Sequence, residues 1–258
     1  MYHRRIQPKK SLGQHFLKDF SIAEKIAAVL PSDTGLPTLE VGAGTGILTR
    51  FLIKTQKDLT VVELDKTSVA YLASHYPELK GRIIEADFLT LDLTSLFPSQ
   101  QFMITGNYPY NISSQILFKV LEHRDLIPLC AGMLQKEVAE RIASKQGTRT
   151  SGIITILLQA WYDVEYLFTV EPDAFDPPPK VRSAVIRMKR NSRTTLGCSE
   201  SHFRTVVKTA FNQRRKTLRN SLSAHIALKP EVTANLIFNL RPEQLSVEQF
   251  IELTNILK

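Results

Sequence analysis

Asn107, Tyr108, Pro109 and Tyr110 follow, one glycine on, a β-branched and apolar run, Phe102–Thr105, that reads as a strand. An asparagine side-chain oxygen and the carbonyl before a proline can both accept from an exocyclic amine, and a tyrosine ring offers a face for stacking. The chemistry within reach is that of holding a flat, amino-bearing ring such as adenine or cytosine, or an amide nitrogen. Asn-X-Pro sequences also initiate ordinary turns, so this segment alone leaves turn and pocket open. What favours the pocket is an upstream glycine cluster, Gly42-Ala43-Gly44-Thr45-Gly46.

That cluster follows Leu39-Glu40-Val41 and is expected to end one strand and start a helix at Gly46. Glycines let the backbone approach a ligand closely, and a helix start favours an anionic group. The spacing departs from G-x-G-x-x-G and an acid precedes the loop, which weakens a dinucleotide reading. Glu63 stands 21 positions after Gly42, at the end of the next expected strand, where an acid can accept from ribose hydroxyls. Asp87, ending a third strand, can accept from the amino group of an adenine, with Phe88 against the ring face. Asp65 reads as a helix cap. The loop with Gly42 and Gly44, together with Glu63 and Asp87, reads as an S-adenosylmethionine site.

The elements that must position these residues alternate in type. Strands are expected near Thr38–Val41, Leu59–Glu63, Arg82–Glu85, Phe102–Thr105 and Leu129–Leu134. Helices are expected near Phe20–Leu30, Gly46–Thr55, Lys66–His75, Ser113–Glu122 and Lys136–Ser144. This alternation predicts an α/β fold, a doubly wound Rossmann-like sheet with helices on both faces. Thr155–Val170 and Val181–Lys189 read as two long edge strands, separated by Asp176-Pro177-Pro178-Pro179, which cannot continue a ladder. The first domain is therefore set at residues 1–190.

Asn191–Ser201 is polar and reads as a linker to a small helical domain over 191–258. In Ser201–Ser223, Phe203, Val206, Val207, Ala210, Phe211, Leu218 and Leu222 fall on one helical face. Lys208, Arg215, Lys216 and Arg219 gather on the other side. Arg214 falls on the apolar side and is expected to brace the domain junction through an acid or a carbonyl. Further helices are expected near Glu231–Asn239 and Val247–Leu257.

The 258 residues, 43% hydrophobic, can bury an ordinary core, and the formal net charge of +8 favours a polyanionic partner, RNA or DNA first. Arg4, Arg5, Lys9 and Lys10 at one end, and the basic helical face near the other, are the expected backbone contacts. Cys130 and Cys198 are far apart and form no C-x-x-C pair, which argues against a disulfide framework or zinc site and fits a reducing compartment. No histidine pair has metal-ligand spacing, and Ile153–Trp161 is too short to span a bilayer. The expectation is no metal, no membrane, and a cytoplasmic monomer.

Ser11-Leu12-Gly13-Gln14-His15-Phe16-Leu17, the glycine loop, Val62–Asp65, Ala86–Phe88 and Gly106–Ser113 together resemble the ribosomal RNA adenine dimethyltransferases that modify two adjacent adenines near the end of small-subunit rRNA. The resemblance continues through Gln135–Arg141, Phe175–Val181, Ala210–Leu218 and Arg241–Ser246. It implies that His15 and Leu17 cover S-adenosyl-L-methionine, that Gly42 lines it, and that Glu63 takes the ribose and Asp87 the adenine. It further implies that Asn107 holds the target amine while Tyr110 and Phe175 stack on the base, in an immature small ribosomal subunit. Tyr108 stands where Leu or Ile is usual, His15 where Asn is frequent, and Arg182 where an acid often stands.

The rivals are a large-subunit rRNA adenine methylase of the antibiotic-resistance type, a catalytically silent RNA-binding assembly factor, and a DNA adenine methylase. The Phe211–Leu218 and Arg241–Ser246 segments favour the small-subunit class over the first. Intact Asn107, Tyr110, Glu63 and Asp87 count against the second. The short helical tail is insufficient for sequence-specific groove reading by the third.

Overall fold

The apolar runs of Thr38–Val41, Leu59–Glu63, Met103–Asn107 and Leu129–Gln135 are buried on both faces, as inner strands of a parallel sheet must be when helices cover them. The computed structural model describes residue 9, residues 12–223 and residues 230–257. These divide into two compact units, one reaching Ala139 and resuming over Glu165–Arg190, the other comprising Glu140–Val164 and the residues from Asn191 on. Residues 140–164, which the division at 190 assigns to the first domain, thus belong to the second unit.

In the first unit the strands are β1 (Phe16–Leu17), β2 (Thr38–Val41), β3 (Leu59–Glu63), β4 (Ile83–Glu85), β5 (Met103–Asn107), β6 (Leu129–Gln135), β7 (Tyr162–Val170, this unit holding it from Glu165), β8 (Phe175–Asp176) and β9 (Ser183–Arg190). The main sheet has the order β4-β3-β2-β5-β6-β9-β7, with β2 to β6 parallel and β9 antiparallel to β6. The small β1–β8 pair is antiparallel and sets Leu17 opposite Phe175. The chain leaves β2 toward β3 and β4, then returns on the other side to β5. Ligands in such sheets bind outside the carboxyl ends of the strands at this reversal.

The helices are α1 (Phe20–Ala27), α2 (Thr49–Thr55), α3 (Lys66–His75), α4 (Ser113–Glu122) and α5 (Lys136–Ile142). Asp19 caps α1 through the Ser21 and Ile22 N–H groups, and Asp65 caps α3 through Thr67, as its position after a strand suggested. The helix expected at Gly46 starts at Thr49, because the glycine loop uses Ala43–Gly46 for a turn closed by the Gly46 N–H on the Ala43 carbonyl at 2.8 Å.

Two further expectations are corrected. Thr155–Val170 is not one strand: α6 (Ile153–Gln159) precedes β7. A short β-branched apolar run does not distinguish a buried strand from a buried helix, and here Thr155 accepts the Gly152 N–H and donates to the Arg141 carbonyl at 2.7 Å, starting a helix. The helix expected over Ser201–Ser223 breaks into α7 (Glu200–Asn212) and α8 (Leu218–Leu222), with the Leu218 N–H turned to the Leu240 carbonyl. The apolar stripe survives the break, from Phe203 to Leu222. The expected Glu231–Asn239 helix is a short α9 (Pro230–Thr233) and a 3-10 turn over Leu236–Asn239, and α10 (Val247–Ile256) closes the second unit, where Phe250 stacks on Phe211.

Tyr108 is accommodated by a local exchange of volume. Its ring is 1% exposed and lies against Gly106 and Gly132, which are register partners on β5 and β6. Its hydroxyl donates to the Ala131 carbonyl at 3.1 Å and sits 3.3 Å from the Cys130 thiol, which burial pushes up to about 12. The side chain that departs from the family pattern therefore anchors the segment from below the sheet edge. A Cβ at position 132 would meet the Tyr108 ring at 2.4 Å. Gly132→Ala is expected to destabilise by about 2 kcal/mol in urea unfolding, as overpacked cores do, with part recovered in Gly132→Ala/Tyr108→Leu. No destabilisation in the single variant would contradict this packing.

Candidate active site

The turns after β2, β3, β4 and β5 converge on one cavity, and the segment before β1 forms another part of its wall. His15, Leu17, Gly42, Gly44, Glu63, Asp87, Phe88, Asn107 and Tyr110 all line it. Phe175 does not: its ring is fully buried in the hydrophobic core, because pairing with Leu17 draws β8 inward. The expected stacking of Phe175 on a base is not met in this arrangement.

The glycine loop lies against the cavity because all three of its glycines take left-handed backbone. Gly42 has φ +73°, donates to the Val62 carbonyl at 2.9 Å, and would carry a Cβ 3.8 Å from Pro109 Cδ and 4.0 Å from the Asn107 carbonyl. A side chain there would fill the gap between loop and Asn-Tyr-Pro-Tyr segment. Gly46, at φ +78°, sits under Tyr76, whose hydroxyl donates to its carbonyl at 2.8 Å and whose ring leaves no room for a Cβ.

Buried Glu63 ties this loop to the next strand end. Its Oε2 accepts the Gly44 N–H and its Oε1 the Asp65 N–H, both at 2.8 Å. Each carboxylate oxygen keeps a second lone pair, enough for a pair of vicinal hydroxyls. Asp87 Oδ1 accepts the Leu89 N–H at 2.9 Å, which turns the chain so that Asp87 and Phe88 face the cavity. Leu64, half exposed on the same wall, escaped the sequence reading. Its signal was an apolar residue between two acids at a strand end.

Asn107 Nδ2 donates to the His15 carbonyl at 3.1 Å, which leaves Oδ1 as the acceptor. His15 is itself fixed: Nδ1 donates to the Pro177 carbonyl at 3.0 Å, and the ring stacks on Tyr110 at a centroid distance of 5.4 Å. The Tyr110 hydroxyl bonds to Ser183 Oγ. The pieces match a nucleoside with a flat ring: paired acceptors for hydroxyls at Glu63, an acceptor and an aromatic face at Asp87 and Phe88, and a second acceptor beside an aromatic ring at Asn107 and Tyr110.

The basic residues fare differently. Lys9 is paired with Asp65 at 2.6 Å. Arg4, Arg5 and Lys10 lie outside the described residues. Lys208, Arg215, Lys216 and Arg219 are all exposed, but the Arg219 guanidinium donates to the Thr233 carbonyl at 2.9 Å and so braces α8 on α9. Arg214 donates to a carbonyl as expected, that of Arg149, but within the second unit rather than at a junction. Among the described residues no helix is long and apolar enough to cross a membrane, and no group of His, Cys, Asp or Glu is placed to hold a metal ion.

Strand order, glycine loop, strand-end acids and cavity together define a Rossmann-like methyltransferase. A dimethyladenosine transferase from Plasmodium falciparum superposes with a TM-score of 0.77 at 25% identity, covering 93% of this chain and 96% of that one. The 23S rRNA methyltransferase ErmE gives 0.67, also at 25% identity, over 94% and 99%. The ribosomal RNA small subunit methyltransferase A of Parabacteroides distasonis is 62% identical over 253 residues, 98% of this chain and 95% of that protein. The profile of the ribosomal RNA adenine dimethylase family matches residues 5–258, and the chain belongs to that family.

One carboxyl in the wall is not in the state its type suggests. Glu40 is 1% exposed, and burial pushes it up to about 8 against the Thr49 hydroxyl that donates to it at 2.7 Å, with the charge of Glu63 adding to the rise. Between the ordinary glutamate range and pH 8 the folded chain holds a proton that the unfolded chain has released, so this contribution to stability falls as pH rises through that window. Glu40→Gln is expected to flatten the dependence of Tm on pH between 5 and about 8. An unchanged pH dependence would show that Glu40 titrates normally.

Proposed function

We propose that this protein uses S-adenosyl-L-methionine to dimethylate the exocyclic amines of two adjacent adenines near the 3′ end of small-subunit ribosomal RNA, in an immature subunit in the cytoplasm. The observation that carries the reading is the convergence of the Asn-Tyr-Pro-Tyr segment, the glycine loop and the strand-end acids on one cavity. The 62% identity to a small-subunit enzyme favours that substrate over the large-subunit one of ErmE, which shares 25%.

The cofactor supplies an electrophilic methyl group on a sulfonium. Gly42 and Gly44 let the backbone approach it, Glu63 accepts its ribose hydroxyls, and Asp87 with Phe88 takes its adenine. His15 and Leu17 cover it. An adenine amine is a poor nucleophile because its lone pair is delocalised into the ring. Asn107 Oδ1 and the Tyr108 carbonyl accept its two protons, which lets the nitrogen pyramidalise and directs its lone pair at the methyl group. Tyr110 stacks on the base. Holding the nitrogen in place is the main contribution of the protein, and the product ammonium, being acidic, would lose its proton to a nearby acceptor such as water without a strong general base. The target base has to leave any stack to enter, which favours loop RNA. Lys208, Arg215 and Lys216 meet the RNA backbone.

The direct test is incubation with methyl-labelled cofactor and small subunits from an unmethylated strain, followed by mapping. Two adjacent adenines, each with two methyl groups, are expected; label confined to large-subunit RNA would overturn the reading. Asn107→Ala is expected to lower the transfer rate roughly a hundredfold with cofactor affinity within a few-fold, whereas Glu63→Ala weakens cofactor binding by calorimetry. Near-normal turnover in the first or unchanged affinity in the second removes that residue from its role. Replacing Lys208, Arg215 and Lys216 by Gln should lower the salt slope of RNA binding by about 1 for each phosphate left without its cation, for all RNAs alike. An unchanged slope would remove this face from RNA binding.

A further inference from the structure

Lys119 is a buried cation that neither the sequence motifs nor the proposed mechanism uses. It lies on α4 among Leu117, Val120 and Leu121, all buried, and is itself 9% exposed. Burying an ammonium is unfavourable unless it is hydrogen-bonded and paired. A methionine would fill the same space without that penalty, so the charge and the donors of Lys119 need a role.

Its side chain reaches the segment that follows β4. Nζ donates to the Leu89 carbonyl at 3.0 Å and to the Leu91 carbonyl, and it stands 5.3 Å from the centroid of the Phe88 ring. The same segment is closed from the other side by Asp87: its Oδ1 accepts the Leu89 N–H at 2.9 Å, and its carbonyl accepts the N–H groups of Thr90 at 3.1 Å and Leu91 at 3.0 Å. Burial lowers the pKa of Lys119, while the charge of Asp87, then those of Glu122 and Asp92, opposes the fall. The turn that presents Asp87 and Phe88 to the cavity is thus held between its own backbone bonds and one lysine. An ammonium against one ring also withdraws electron density from it, which suits stacking with an electron-rich purine.

We propose that Lys119 is a positioning residue that fixes Asp87 and Phe88 and thereby sets the preference of the cavity for a purine bearing an amino group over one bearing an oxo group. This deepens the S-adenosylmethionine reading and rests on it. A lysine that only stabilised the fold would weaken every ligand of the cavity alike. A lysine that aligns the Asp87 acceptor acts on the ring that donates to it.

The test is calorimetric titration of the intact chain and its Lys119→Met and Lys119→Arg variants with S-adenosyl-L-homocysteine and with S-inosyl-L-homocysteine, in which an oxo group replaces the amine. The unaltered protein is expected to prefer the adenosyl ligand. Lys119→Met should lose about tenfold in adenosyl affinity, the scale of one misaligned charge-assisted hydrogen bond, and keep inosyl affinity within about twofold. Lys119→Arg, which retains charge and donors, should restore much of the preference. If methionine is not tolerated, Lys119→Gln keeps a polar head with fewer donors and reads the same ratio. A preference equal to that of the unaltered protein, whether both affinities fall together or neither changes, overturns the positioning role. Failure of the unaltered protein to bind S-adenosyl-L-homocysteine overturns the cofactor reading instead, and the inference with it.

Discussion

The hydrogen bond from Asn107 Nδ2 to the His15 carbonyl holds the end of β5 and the segment before β1 in one arrangement. An asparagine amide can point either way, and only one orientation offers its oxygen to an incoming amine. The His15 carbonyl selects that orientation by taking the nitrogen. His15 is in turn held by the Pro177 carbonyl and by stacking on Tyr110, so three segments distant in sequence share one register. Gly13 completes the arrangement, since a Cβ there would meet Asn111 Oδ1 at 2.4 Å. In the proposed mechanism this is preorganisation: the acceptor is aimed before the base arrives, and no reorganisation is needed at the moment of transfer.

The other half of the cavity is organised by Glu63 in a similar way. One carboxylate accepts backbone N–H groups from the glycine loop and from the turn after β3, which fixes the separation of the β2 and β3 ends beside the reversal of the sheet. The same carboxylate is proposed to receive the ribose, so loop geometry and ligand geometry are coupled through a single buried group. Tyr108 has a comparable part beneath the other wall. Its ring takes the space left by two opposed glycines, and it holds up the backbone from which Asn107 and Pro109 project.

Much of this was legible because the informative residues sit where the backbone leaves a strand. Glu63 and Asp87 are marked by their order along alternating elements and Asn107 by the Asn-Tyr-Pro-Tyr spacing, and all three line the cavity. The reading failed where local pattern underdetermines structure. Ile153–Gln159 carries strand-type residues but is buried in a helical unit, and the apolar stripe from Phe203 to Leu222 runs through a break that periodicity does not register. Phe175 is given a base-stacking role by the resemblance but packs in the core, and Arg219, placed on the basic face by helical periodicity, donates to the Thr233 carbonyl. Lys119 was invisible for the opposite reason, since a lysine in a helix reads as solvated until its partners are seen.

In the proposed mechanism Asn107 must donate to the His15 carbonyl and accept from the target amine at once. Asn107→Asp separates these functions, because aspartate keeps an acceptor and loses the donor. The decisive measurement is its single-turnover methyl transfer to unmethylated small subunits at saturating S-adenosylmethionine. A fall of roughly a hundredfold, with cofactor affinity kept within a few-fold, is the predicted result. A rate within a few-fold of the unaltered protein would contradict it, since acceptance alone would then suffice.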